Sequence, residues 1–166
     1  MTARIQVRQA RADDEAALAD LDATAWSPQS SFPSMIQPGS DAEPAFFSAK
    51  NPPEVHLVAE MDSTVVGYIR LKPPTDLPEN AHVLQVSGLA VHPAARRRGI
   101  AAALLTASDQ HARDRGARKL TLRVLSTNQP AVSLYDRLGY EREGVLRGEF
   151  VVNGADVDDV LMAKHL

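Results

Sequence analysis

The hydrophobic period changes several times along the chain, and each change predicts an element. Residues 4–8 alternate polar and apolar, as a half-buried strand does. Asp13, Asp14 and Glu15 then put acid in the first turn of a helix, where the macrodipole favours it, and Ala17, Leu18, Leu21 and Ala25 give that helix an apolar stripe. Residues 27–53 are rich in proline and serine, with one helical turn expected over 43–50. A connection this long in a compact domain is often functional and is expected to meet substrate. Residues 55–61 and 65–71 read as a hairpin across Asp62-Ser63-Thr64, and 72–80, with three prolines, as a surface connection. Val83–Val91 is almost continuously apolar, which predicts a central strand buried on both faces, and Gly88 within it predicts a bulge or a close backbone approach. The next helix carries Ile100, Leu104, Ala107 and His111 on one face and stops at Gly116. Lys119–Leu125 alternates again. Ser126 to Pro130 is a polar turn whose proline suits a helix start, and Gly139 ends the short helix over 131–138. Two closing strands, 141–152 and 156–163, flank Asn153-Gly154, the strongest short hairpin signal.

This order predicts an α/β or α+β fold with a mixed sheet. The strands at Val83 and Lys119 are joined by a helix and should be parallel neighbours. Such a pair can splay, leaving a crevice at its carboxyl ends where ligands bind. The sequence puts a polar turn containing Asn128 at one of those ends. At the other is Val91-His92-Pro93-Ala94-Ala95-Arg96-Arg97-Arg98-Gly99-Ile100-Ala101. This loop opens a helix, whose free N–H groups and partial positive charge suit an anion. Gly99 and Ala101 are small enough for a phosphate to approach the backbone, and three arginines add charge. A pyrophosphate on a small-molecule cofactor is the most economical ligand.

Composition narrows this further. At 166 residues the chain is expected to form one domain, 1–166. A net charge of −3 argues against a general nucleic-acid binder. With no cysteine, disulfides, thiolate metal sites and a cysteine nucleophile are excluded. No signal-peptide core opens the chain, and no run of about 18 apolar residues exists, so a cytoplasmic protein without metal or membrane contact is expected.

The basic loop also resembles the Q/R-x-x-G-x-G/A pyrophosphate loop of the GCN5-related N-acetyltransferase (GNAT) superfamily. The run from Asn128 through Pro130, Ala131, Leu134-Tyr135 and Gly139-Tyr140 resembles that family's second motif. The strong match covers residues 83–140, and residues 144–166 look like the closing segment of the general amine and amino-acid N-acetyltransferases. The resemblance implies a mixed, mostly antiparallel sheet with a splayed parallel central pair, flanked by helices. It implies acetyl-CoA as cosubstrate, with the backbone of Arg96, Arg97, Arg98, Gly99, Ile100, Ala101 and Ala102 on the pyrophosphate. Leu89, Ala90 and Val91 would meet the pantetheine arm, and Asn128 would orient it. Tyr135 would be the general acid that protonates the departing sulfur.

One departure matters. Some family members carry a carboxylate base six residues before the position of Val91, and this chain has Gln85 there. Glutamine cannot accept an amine proton, so Glu79, His82 and Glu149 are the candidate bases, or water serves. The expected activity is acetyl transfer to the primary amine of a small molecule by direct attack in a ternary complex. A protein N-terminus or lysine is the alternative acceptor, and a non-catalytic acyl-CoA-binding module the alternative class. Family members are often dimers, so a homodimer is expected.

Overall fold

The computed structural model describes residues 4–26, 32 and 45–166. Within them the alternating segments form strands β1 (Ile5–Gln9), β2 (His56–Met61), β3 (Thr64–Lys72), β4 (Val83–Val91), β5 (Lys119–Leu125), β6 (Glu141–Val152) and β7 (Ala155–His165). The amphipathic segments form helices α1 (Glu15–Ala25), α2 (Ile100–Asp114) and α3 (Gln129–Arg137). The strands make one seven-stranded sheet in the order β1-β2-β3-β4-β5-β7-β6. Every neighbouring pair is antiparallel except β4 with β5. Both hairpin turns take left-handed backbone, at Asp62 and Ser63 (φ 51° and 64°) and at Asn153 and Gly154 (φ 51° and 80°). That turn chirality matches the twist of the flanking strands.

The parallel pair separates partway. Its register runs from Val83 opposite Lys119 to Val86 opposite Leu122 and then stops, although β4 continues to Val91 and β5 to Leu125. A bulge accompanies the parting: on β3, Arg70 lies opposite Gly88 and Leu71 opposite Val86, so Ser87 is the extra residue. A bulge bends its strand and increases its twist. Burial follows the parting. Val83, Leu84 and Val86 are buried, Ser87 is exposed, Gly88, Leu89 and Val91 are half-buried, and Ala90 is buried on the α1 face alone. The expectation of a strand covered on both faces therefore holds only for the first half of β4.

Alternation along β2 and β3 divides the core between the two sheet faces. Leu57, Ala59 and Ile69 join the cluster around α2, and Val58 and Tyr68 join the one around α1. α2 buries Ile100, Leu104, Leu105, Ser108 and Ala112, whereas Ala107 and His111, expected on the core face, are only half-buried. Ser108 can take a core position because its hydroxyl is satisfied within the helix, donating to the Leu104 carbonyl at 2.8 Å. α2 also approaches β3 closely where Gly67 has no side chain: a Cβ there would lie 3.0 Å from Ile100 Cγ2.

One further expectation is extended and one changes. The acidic residues stand in the first turn leading into α1, as expected, and also serve tertiary contacts. Asp14 is buried against Arg8, which donates to both its oxygens at 2.8 Å and holds its carboxyl below the usual range, and Glu15 accepts from the Phe47 backbone at 3.0 Å. The helical turn expected over 43–50 is not found in its described part. Ser48 and Asn51 instead exchange backbone hydrogen bonds of 3.2 and 3.0 Å across a tight turn. The rest of that turn and most of the 27–53 excursion lie outside the described residues.

Candidate active site

A crevice of about 1200 Å³ occupies the gap between β4 and β5. Leu89, Ala90 and Val91 form one bank, Val124 and Leu125 the other, and the starts of α2 and α3 close its end. The two sequence motifs thus face one space.

The basic loop is built by local rules. His92 Nδ1 accepts from the Ala94 N–H at 3.2 Å, setting a short 3-10 turn, Pro93–Ala95. Arg97 and Gly99 then take φ of +63° and +80°, which reverses the chain into α2. A Cβ at Gly99 would meet nothing within 4 Å, so glycine serves the backbone angle and leaves the surface bare. Among the described residues no hydrogen bond engages the backbone N–H groups of residues 97–102, and Ala103 is the first to find an acceptor, on Gly99 O at 2.9 Å. Unpaired N–H groups at the positive end of a fifteen-residue helix make an anion cradle. The three arginines diverge. Arg96 turns back, its Nε donating to Val91 O at 3.3 Å and its Nη2 to Ala25 O, so it braces α1 against the loop. Arg96 still lines the crevice, and so does Arg97. Arg98 reaches Met61 Sδ at 3.6 Å and does not line it.

On α3, Asn128 Oδ1 accepts from Ala131 N at a long 3.4 Å, so the residue caps its helix while lining the crevice. Tyr135 packs edge-on against Tyr140, ring centroids 5.7 Å apart. Its hydroxyl has no hydrogen-bond partner among the described residues, yet it is not sealed off as Tyr140 Oη is. Burial pushes its phenol up to about 12, so it is held as a proton donor.

The opposite bank carries polar groups that periodicity did not single out. Tyr68 and Arg70 leave β3 on one face and line the crevice with Asp22 of α1. Asp22 Oδ1 accepts from Tyr68 Oη at 2.6 Å and Trp26 Nε1 at 2.7 Å. Arg70 Nε donates to His56 Nε2 at 2.9 Å, and His56 Nδ1 lies 2.8 Å from Pro52 O. Nε2 therefore accepts and Nδ1 donates, which fixes a neutral imidazole. His56 is fully buried, and burial with the neighbouring cations pushes it down to about 4. On β7, Asp159 is buried beside Arg123, whose Nε donates to it at 2.6 Å. The overlooked signal was polar side chains inside otherwise apolar strands, since such groups enter a core only with a partner or a task.

Residues 17–140 match the sequence profile of the Acetyltransferase (GNAT) family. The chain belongs to the acetyltransferase (GNAT) family. It is 32% identical over 141 residues to an uncharacterized N-acetyltransferase of Bacillus subtilis (strain 168), covering 84% of this chain and 91% of that one. It is 35% identical over 120 residues to an N-alpha-acetyltransferase of Saccharolobus solfataricus, covering 66% and 68%. Its fold resembles an acetyltransferase of Salmonella typhimurium solved with its cofactor acetyl-CoA, with a TM-score of 0.75 at 19% identity over 99% and 95% of the two chains. As a GNAT acetyltransferase, the protein is an acetyl-CoA-dependent, acetyl-transferring enzyme.

The candidate bases of this acetyltransferase lie elsewhere. Glu79 sits in the 3-10 turn Pro78–Asn80, and the His82 carbonyl accepts from Arg118 and Lys119 at the amino end of β4. That end is roughly 20 Å from Gly88 along an extended strand. Glu149 is exposed at the irregularity of β6, and its neighbour Phe150 lines the crevice instead. Gln85 does face the crevice. Among the described residues no cluster of acidic or histidine side chains fits a metal ion, and no helix is long and apolar enough to cross a membrane.

Proposed function

We propose that this enzyme acetylates the primary amine of a small molecule, by direct attack on the donor thioester in a ternary complex. The observation that carries the small-molecule reading is a contact over the crevice. Phe32, from the connection after α1, and Phe150 of β6 both line it, with ring centroids 4.6 Å apart. They approach from opposite sides of the β4–β5 gap, so the acceptor end is bridged rather than open to a folded polypeptide.

When bound, acetyl-CoA supplies an activated acetyl group and a thiolate leaving group. The N–H groups of residues 97–102 would hold its pyrophosphate, with Arg97 beside them. Beyond Val86 the edge of β4 that faces away from β3 has no strand partner among the described residues, and there the backbone of Leu89 and Val91 would hydrogen-bond the pantetheine arm as an added strand, with Ala90 between them. Tyr135, kept protonated by burial, would donate to the departing sulfur. Asn128 would orient the arm beside it. The crevice carboxylates already accept hydrogen bonds, Asp22 from Tyr68 and Trp26 and Asp159 from Arg123, which favours water as the route for the amine proton.

The similarity to an N-alpha-acetyltransferase favours a second reading, in which a protein N-terminus is the acceptor. A thiol-release assay with acetyl-CoA separates them. Saturable release with small amines supports the first reading, and release only with peptides overturns it in favour of the second. Cofactor binding without release for any amine would mean a non-catalytic module.

A further inference from the structure

Arg70 is placed and charged in a way that the donor does not explain. Its Nη1 lies 3.6 Å from where a Cβ on Gly88 would be, over the bulge at which β4 leaves β5. The guanidinium carbon is 5.7 Å from the centre of the Phe46 ring and 5.8 Å from that of Tyr68, so two aromatic faces fix its position. The partner at Nε is a neutral, fully buried imidazole, which holds the arginine without cancelling its charge. No carboxylate pairs with Arg70 among the described residues, and its two terminal nitrogens make no hydrogen bond there. A half-buried, immobilised cation without a counter-charge is costly unless a ligand supplies one. The planar fork that it presents to the crevice matches a carboxylate.

We propose that Arg70 binds a carboxylate of the acceptor, and that the amine acetylated is the α-amine of a free amino acid. This rests on the small-molecule reading above and names its substrate class. The geometric reason is separation. Arg70 lies over the bulge beside Leu89, at the end of the strand edge which that reading gives to the pantetheine arm and hence close to the thioester the arm carries, so carboxylate and amine must be close neighbours in the acceptor. In an α-amino acid one carbon carries both. In a peptide N-terminus or a lysine side chain the carboxylate is replaced by an amide or lies far away. His56 is then a positioning residue, acting through Arg70 Nε.

The test compares free L-amino acids with their carboxamides and with the decarboxylated amines, by thiol release with the full-length enzyme. A charge-assisted, two-point contact predicts a preference for the amino acid of about 10- to 100-fold in kcat/KM, carried mainly by KM. Arg70→Gln should lower kcat/KM for the amino acid far more than for the decarboxylated amine and so remove that preference, and Arg70→Lys should retain part of it. The native enzyme's own preference decides the matter even if a variant misfolds. The inference is overturned if the uncharged counterparts are acetylated as well as the amino acids, if Arg70→Gln slows both alike, or if other amines react and amino acids do not. In each of those cases the small-molecule reading survives. If no amine releases thiol, that reading fails and this one falls with it.

Discussion

Arg96, Arg97 and Arg98 are identical in chemistry and adjacent in sequence, yet Arg96 braces α1 at the crevice wall, Arg97 lines the crevice and Arg98 leans on Met61 outside it. At the scale of the residue, function depends on direction and surroundings more than on type. Tyr135 illustrates this: burial pushes its phenol up to about 12, so it stays protonated across the working range. Tyr135→Phe keeps the ring against Tyr140 and deletes only the hydroxyl that carries the proton. It should lower kcat on the order of 100-fold with little change in the KM for acetyl-CoA, as steady-state thiol release would read. His56 gives a stability prediction. Its pKa falls from 6.5 to about 4 on folding, so the unfolded chain takes up the proton first. Its contribution is complete above pH 6.5 and is lost as pH falls towards 4, on the order of 3 kcal/mol in all. Denaturant unfolding at pH 7 and pH 4.5 should show this acid loss. His56→Gln, still able to accept from Arg70, should lose less stability over the same interval, and an equal loss would refute the assignment.

At the scale of the element, α2 and β4 carry the site. The helix presents its free N–H groups to the crevice only because it lies close on β3, and Gly67 permits that approach. A Cβ at Gly67 would lie 3.0 Å from Ile100 Cγ2, 3.1 Å from Ala90 O and 3.2 Å from Leu104 Cδ1. Because one of these atoms is backbone, Gly67→Ala should cost about 1–3 kcal/mol. Calorimetry should show Tm falling by several degrees. β4 contributes by failing to stay paired. The residue that marks the parting, Gly88, was legible in the sequence, and so was the parallel pairing, which follows from a strand-helix-strand connection. That the extra residue is Ser87 was not legible, because a bulge is set by the register of two strands and not by either alone. The buried face of α2 was legible only roughly, since Ser108 reads as polar until its hydroxyl is seen bonded within its own helix.

At the scale of the molecule, the crevice joins elements far apart in the chain, so its ligand should stabilise the whole fold. Coenzyme A at about 100 times its Kd should add roughly 2.7 kcal/mol, which for a chain of this size raises Tm by about 5–10 °C. Gly99→Glu should abolish that shift while leaving the far-ultraviolet spectrum native, because the new carboxylate sits at the anion cradle. A shift that survives the substitution would place the cofactor elsewhere.

The sequence by itself determined the succession of strands and helices along the chain, the two tight hairpins, the parallel pair and the basic loop with its small glycine. These follow from local periods, from turn angles that only certain residues tolerate, and from the handedness of crossovers. Only the tertiary structure decided the polar bank of the crevice. Arg70 meets His56 across 14 residues of chain, Asp22 meets Tyr68 across 46, and Asp159 meets Arg123 across 36. No short window contains those pairs. They arise when the sheet closes and strips water from polar groups, which then pair with whatever the fold has brought beside them. Arg70 is left with a neutral partner and, among the described residues, no carboxylate paired to it.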